Sequence, residues 1–294
     1  MPLLHLEHPE DTILTGDLSV FDALYERQSN ISVKIDGAPS VVWGVNPENG
    51  KSFVGTKSVF NKKKIKICYT IDDILRLYDT DTHASLIEVL CACYLNLPVT
   101  EGVYQGDFIG FGGSDTFKPN TITYEFPDVI EENIIIAPHT YYTGDILNQM
   151  EAHPLEGELI STDKCKFIQP TVDRVVGNTS APMINTKGIK FLTKKEAKEA
   201  KQCINALIKA QHPLCDDTLT HVLGDPRLAN LYQLVIDIKW DLMESMIVYD
   251  CPKAYICGEQ VNQEGFVMTN KYGMIKLVDR YIFSYANFTQ GRFQ

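Results

Sequence analysis

An α+β fold rich in antiparallel strands is predicted for this 294-residue chain from three observations. Apolar residues alternate through Ile31, Val33 and Ile35, and strand patterns follow at residues 40–45 and 52–56. Between the last two, Pro47-Glu48-Asn49-Gly50 carries the Asn-Gly signal of a hairpin turn. Apolar residues at helical spacing are gathered in separate blocks, the largest at roughly residues 190–250.

The elements follow in order. Residues 17–28 place Leu18, Phe21, Leu24 and Tyr25 on one helical face, with Asp17 as the cap, and lead into the first strand. Strands at 31–35, 40–45 and 52–56 come next. The lysine-rich segment 57–66 reads as a loop with Lys62, Lys63, Lys64 and Lys66 clustered in it. Its ordinary reading is a solvated loop, and its functional reading a phosphate-binding rim. Helices are expected at 72–78 and 82–97, the second closed by Pro98. Strands are expected at 101–110, 121–126, 133–142 and 164–168. Thr193-Lys194-Lys195-Glu196 has the form of a capping box and opens a helix running to Gln211. Helices at 216–223 and 228–249 complete a helical insertion or subdomain of about 190–250 in a chain read as one domain, 1–294. Strands at 264–268 and 274–278 flank a turn at 270–273, and a short helix is expected at 279–288.

Composition limits the function classes. A hydrophobic content of 44% supports a sizeable core and excludes disorder. The formal charge of −11 argues against coating of nucleic acid by the whole surface, while leaving room for a local basic groove. The eight cysteines contain no C-x-x-C pair and no zinc spacing. No signal peptide and no membrane-length apolar run is present, so a cytoplasmic protein with reduced thiols is expected, in host cytoplasm if viral.

The residue that stands out is Lys34, at the end of an apolar strand and followed by Ile35-Asp36-Gly37. An ammonium is costly to bury without a partner. Partial burial or neighbouring cations expose a neutral, nucleophilic amine.

Lys34-Ile35-Asp36-Gly37 resembles motif I of the covalent nucleotidyltransferases, the superfamily of ATP-dependent ligases and mRNA capping enzymes. Four further stretches resemble that family's motifs in the same order. Gly55-Thr56-Lys57-Ser58 is similar to the next motif, Tyr104-Gln105-Gly106-Asp107-Phe108-Ile109-Gly110 to motif III, Glu264-Gly265-Phe266-Val267 to motif IV, and Met274-Ile275-Lys276-Leu277-Val278 to motif V. Taken singly, each of these residues reads as an ordinary charge at a strand end. Together and in order they read as a site.

The resemblance implies a nucleotidyltransferase core, ATP-grasp-like, and a lysyl-AMP intermediate on Lys34. It implies ATP and Mg²⁺ as cofactors. Asp36 and Gly37 belong to the nucleotide-binding motif. Lys57 and Lys276 would neutralise phosphates, and Lys276 with the metal would favour the neutral form of Lys34. Asp107 and Glu264 would bind metal or ribose hydroxyls. For the adenine, His139 and Tyr141 are candidates, packing being their equal alternative.

The resemblance is closest to the compact phage-type RNA ligases, for three reasons: Lys34 lies near the start, the chain is small, and no C-terminal OB domain is expected after Lys276. The implied partners are RNA or DNA ends carrying a 5′-phosphate and a 3′-hydroxyl. A DNA ligase, a guanylyl-type transferase or a catalytically weakened nucleic-acid-binding homologue remain alternatives. Two positions depart from the family pattern. Ala38-Pro39-Ser40 stands where an arginine often follows motif I, and Val278 stands where motif V usually has a second basic residue.

Overall fold

The computed structural model describes residues 8–175 and 182–284. The fold is α+β with mostly antiparallel sheets. Its strands are β1 (Asn30–Val33), β2 (Ser40–Val45), β3 (Ser52–Gly55), β4 (Val103–Phe111), β5 (Ser114–Phe117), β6 (Thr123–Ile130), β7 (Ile134–Thr143), β8 (Glu151–Pro154), β9 (Cys165–Phe167), β10 (Thr171–Arg174), β11 (Met246–Tyr249), β12 (Lys253–Ile256), β13 (Glu259–Val261), β14 (Gly265–Asn270) and β15 (Gly273–Val278). Its helices are α1 (Pro9–Thr12), α2 (Ser19–Tyr25), α3 (Ile71–Leu77), α4 (Ala84–Asn96), α5 (Lys194–Lys209), α6 (Asp216–Leu223) and α7 (Pro226–Glu244).

The chain forms two compact units. The first contains Ile35–Gln169 and Cys251–Val261, and the described remainder forms the second. The division passes between Lys34 and Ile35. The helical stretch near 190–250, expected as an insertion, falls wholly in the second unit.

In the first unit, β3-β2-β4-β7-β8 form an antiparallel sheet, with β9 added to β7 in parallel. The Asn49-Gly50 hairpin joins β2 and β3 as expected, Gly50 adopting φ +69. Val41, Trp43 and Ile136 of this sheet pack with Leu90 and Cys93 of α4. Burial of such side chains contributes about 1.5–3 kcal/mol each and decides which sheet face α4 covers. A second sheet has the order β13-β12-β6-β5. Of these, β5, β12 and β13 escaped the sequence reading, being three or four residues long with exposed faces.

In the second unit, β1-β14-β15 form a three-stranded antiparallel sheet. Phe266, Met268 and Leu277 on one face share a core with Leu228, Tyr232 and Val235 of α7 and Ile204 of α5. The helices are the apolar cover of the strand that carries Lys34, and the sheet could not bury that face without them. The Thr193 capping box forms in full: Glu196 N–H donates to Thr193 Oγ1, and Thr193 N–H to Glu196 Oε2.

The helix expected at 17–28 with Asp17 as its cap is shorter, Ser19–Tyr25, with Leu18 at the cap position, and two further elements differ more from expectation. The last long helix stops at Glu244, and residues 246–249 pair as β11 with β10. Ile247, Val248 and Tyr249 favour a strand, and the partner segment lies more than 70 residues away, invisible to local periodicity. The expected helix at 279–288 is a single π-turn, Arg280–Ser284; residues 285–288 lie outside the described residues.

Candidate active site around Lys34

The second unit brings Lys34 and Glu264 together. Their register explains why. Val33 pairs with Phe266, and the Lys34 N–H donates to the Gly265 carbonyl at 2.9 Å, extending the ladder by one residue. Lys34 and Glu264 therefore meet where β1 ends and β14 begins. The Lys34 Nζ donates to Glu264 Oε2 at 2.6 Å. The lysine side chain is 22% exposed and the glutamate 4%.

A carboxylate at this distance favours the ammonium, since opposite charge stabilises the ionised form. The neutral amine expected from the sequence is not the form that this contact favours.

Gly265 is required by the same geometry. Its φ is +149, and a Cβ there would lie 2.0 Å from the Leu277 carbonyl oxygen. The glycine lets β14 press against β15 directly beside Glu264.

Lys276 lies on β15 opposite Val267, which in turn pairs with Ser32. Directly paired residues share a sheet face, as do residues two apart along a strand. Lys34, Gly265 and Val278 form one row of that face, and Ser32, Val267 and Lys276 the next. Lys276 is thus on the Lys34 face. Val278, where the resemblance leads one to expect a second basic residue, is 2% exposed and so buried.

The first unit arranges the other sequence-predicted residues. Asp36 is held at three atoms. Its N–H donates to the Tyr124 hydroxyl at 2.9 Å, and Asn120 Nδ2 donates to its carbonyl and to Oδ2 at 3.1 and 3.0 Å. Asn120 and Tyr124 were not singled out in the sequence; only the turn-like Pro119-Asn120 hints at the first.

Gly37 approaches β4 so closely that a Cβ would fall 2.5 Å from the Phe108 carbonyl. Ala38 N–H donates to that carbonyl, and Phe108 N–H to the Pro39 carbonyl, both at 3.0 Å. The tail of motif I therefore lies alongside Asp107, which pairs with Ser40 across β2 and β4.

Asp107 and His139 are diagonal neighbours on β4 and β7, since Asp107 pairs with Ala137. His139 Nε2 is 3.5 Å from Asp107 Oδ1, with the carboxylate 14% exposed and the imidazole 39%. His139 Nδ1 is 2.7 Å from Thr140 Oγ1. Tyr141, the other adenine candidate, stacks on His153 at 5.1 Å, and Tyr104 of motif III stacks on Trp43 at 6.0 Å. Gly106 allows close passage of β7, because a Cβ would meet the Ala137 carbonyl at 2.7 Å. Lys57 is exposed at the start of a one-turn 3₁₀ helix, Lys57–Phe60, capped by Thr56.

A cavity of about 490 Å³ in the first unit is lined by residues of Phe126–Glu132 and by Thr162, Asp163 and Lys166. Asp128, Glu131, Glu132 and Asp163 line it against a single Lys166, which repels a triphosphate. None of the predicted site residues reaches it.

Sequence reasoning also missed a buried ionic cluster in the second unit. Lys239 Nζ is 2.9 Å from Glu10 Oε1, and Arg280 Nη1 is 3.0 Å from Asp11 Oδ1. Tyr232 donates to Asp11 at 2.9 Å, and Arg280 Nη2 to Asn205 at 2.8 Å. Burial pushes the Glu10 carboxyl up, but Lys239 and Arg280 outweigh it and hold it at about 2. The neighbouring Asp11 is pushed up by burial, against the pull of Arg280. His8 beside them is pushed down to about 2, chiefly by burial, and its Nδ1 has no hydrogen-bond partner. Arg280 follows β15 after one residue, so this cluster anchors the end of the Lys276 strand. The only signal in the sequence was a pair of acids, Glu10 and Asp11, next to the apolar Ile13-Leu14.

No curated protein and no solved structure matches the chain. Residues 4–224 and 223–292 match the family described as a family of unknown function, DUF6267. Because that match spans nearly all of the sequence, the protein belongs to this family.

Proposed function

We propose that the protein is an ATP-dependent RNA ligase that works through a lysyl-AMP intermediate on Lys34. The observation that carries the reading is the Lys34–Glu264 pair at 2.6 Å, largely removed from solvent, with Lys276 on the same sheet face. An ammonium paired in this way is inert. To react, Nζ sheds a proton, and Glu264 Oε2 is the acceptor already in contact with it. The Nζ lone pair then attacks the α-phosphorus of ATP. An N–P bond forms, the bond from the α-phosphorus to the bridging oxygen breaks, and pyrophosphate leaves with those electrons. Lys276 is suited to neutralise charge accumulating on the phosphoryl oxygens. AMP then passes to a 5′-phosphate, and a 3′-hydroxyl displaces it to seal the strand.

Glu264 and Asp107 each offer hard carboxylate oxygens of the kind Mg²⁺ takes. Among the described residues no group of three acids, histidines or cysteines is placed to hold a metal ion. Mg²⁺ binds through one or two carboxylates, water and substrate phosphates. Held at either carboxylate, the ion would neutralise phosphate charge.

The test is covalent labelling. Protein incubated with α-labelled ATP and Mg²⁺ is expected to gain one AMP, mapped to Lys34, and Lys34→Ala to gain none. Wild-type protein that stays unlabelled in both Mg²⁺ and Mn²⁺ removes the catalytic reading. Competition between ATP and GTP, followed by nicked RNA against nicked DNA, separates an RNA ligase from a DNA ligase or a guanylyl-type transferase. Val278, buried at the second basic position of motif V, favours a second reading: a nucleic-acid-binding homologue with weakened chemistry. That reading expects RNA binding without labelling.

A further inference from the structure

Beyond Lys57, the lysine-rich loop has no part in the chemistry above, and its organisation is not that of an idle surface turn. Segment 57–66 holds five lysines and no acid. The whole chain carries 27 basic and 38 acidic residues, a balance of −11; without these five lysines it is −16. This is the densest run of lysines in an acidic chain, which favours approach of a polyanion there.

The loop is built. Lys66 N–H donates to the Ser58 carbonyl at 3.4 Å and Asn61 N–H to the same carbonyl at 3.2 Å. Asn61 Nδ2 donates to the Lys64 carbonyl at 3.2 Å. Gly55 makes the closure feasible, since a Cβ there would lie 3.1 Å from the Lys66 carbonyl and 2.5 Å from Val59. Lys66 turns inward and sits 4.1 Å over the Tyr78 ring. That leaves Lys62, Lys63 and Lys64 exposed at the tip.

Lys239, Lys253 and Lys271 each have a carboxylate within 2.9 Å. Among the described residues, Lys62, Lys63 and Lys64 form no ion pair. A run of like charges held close without counter-charge raises the free energy of the loop, and an external anion relieves it. Phosphates repeating along a strand supply several such charges at once.

We propose that this loop, with Lys62, Lys63 and Lys64 at its tip, is the docking surface for the phosphate backbone of the nucleic-acid substrate. The proposal rests on the polynucleotide reading above and assigns the loop affinity, not chemistry.

The experiment measures binding of a fluorescent single-stranded 20-nucleotide RNA by anisotropy across a salt series. It compares the full-length protein with K62A/K63A/K64A. A charge-matched control, K194A/K195A/K198A, removes three exposed lysines of α5. The wild type is expected to show a log–log salt slope of about −2 to −4, and the loop variant a slope shallower by about 2. At low salt the loop variant is expected to lose at least tenfold in affinity, the control less than threefold. Equal losses in the two variants overturn the proposal. So does wild-type binding to phosphatidylserine vesicles with none to RNA. AMP labelling is run in parallel and should be unchanged in the loop variant. If the wild type labels but the loop variant binds RNA normally, the docking surface falls and the ligase reading stands. If the loop variant loses RNA binding but the wild type never labels, the docking surface stands and the ligase reading falls.

Discussion

Replacing Lys34 by arginine separates two roles that the native side chain combines. A guanidinium keeps the charge pair with Glu264 but offers no amine for a stable phosphoramidate. Lys34→Arg is expected to melt within about 2 °C of the wild type, about 1 kcal/mol or less in a chain of this size, while AMP labelling disappears. Glu264→Gln does the reverse test. It leaves a partly buried ammonium without its carboxylate, and is expected to cost about 1–3 kcal/mol, less than a fully buried pair because Lys34 keeps some solvent. Urea denaturation midpoints check this; an unchanged midpoint would mean the contact contributes nothing. The residue types of the site were legible in the sequence because Lys34, Glu264 and Lys276 each sit at or beside an alternating strand. The state of charge was not. It depends on a contact across 230 residues, which no local pattern contains.

At the scale of elements, glycines decide which strands can touch. Gly265 carries φ +149 and has a carbonyl where a Cβ would sit. Gly265→Ala is expected to destabilise the second unit by at least about 2 kcal/mol, from backbone strain and a forced shift of β15. The same substitution at Gly258, where φ is +86 and nothing lies within 4 Å of a Cβ, should cost less. Thermal melts of the two variants compare strain alone with strain plus collision, and equal losses would refute the role given to β15. The sequence announced β1, β2, β3, β14 and β15 through alternation and turn residues, and the α5 start through its capping box. It did not announce β11. Its apolar run extends the helical pattern of α7, and only pairing with β10 resolves the choice.

For the molecule as a whole, acid sensitivity follows from the buried cluster around Glu10. His8 is held near 2 in the folded protein, against 6.5 for a free histidine. Between those values the unfolded chain binds a proton that the folded chain refuses, so stability rises with pH through the window and is complete above it. At pH 5 the loss relative to pH 7 is about 2 kcal/mol from this residue. Glu10, held at about 2 against 4.5, adds a loss of the same sign below pH 4.5, and Asp11, whose carboxyl is raised, opposes it. Melting temperatures from pH 7 to pH 5 should therefore fall for the wild type and flatten in His8→Gln. An identical slope in the variant would assign the acid sensitivity elsewhere. Read alone, the sequence determined the α+β class, most element positions, the residue types of the candidate site and the excess of acid over base. These depend on periodicity, turn chemistry and composition, which are local or additive. Only the tertiary structure decided that the chain divides into two units, that Lys34 is ion-paired, that Val278 is buried, and that Glu10, Asp11, Lys239 and Arg280 meet in one core. Each of these follows from pairing or burial between distant segments, whose energies depend on which partner arrives and not on the residues nearby.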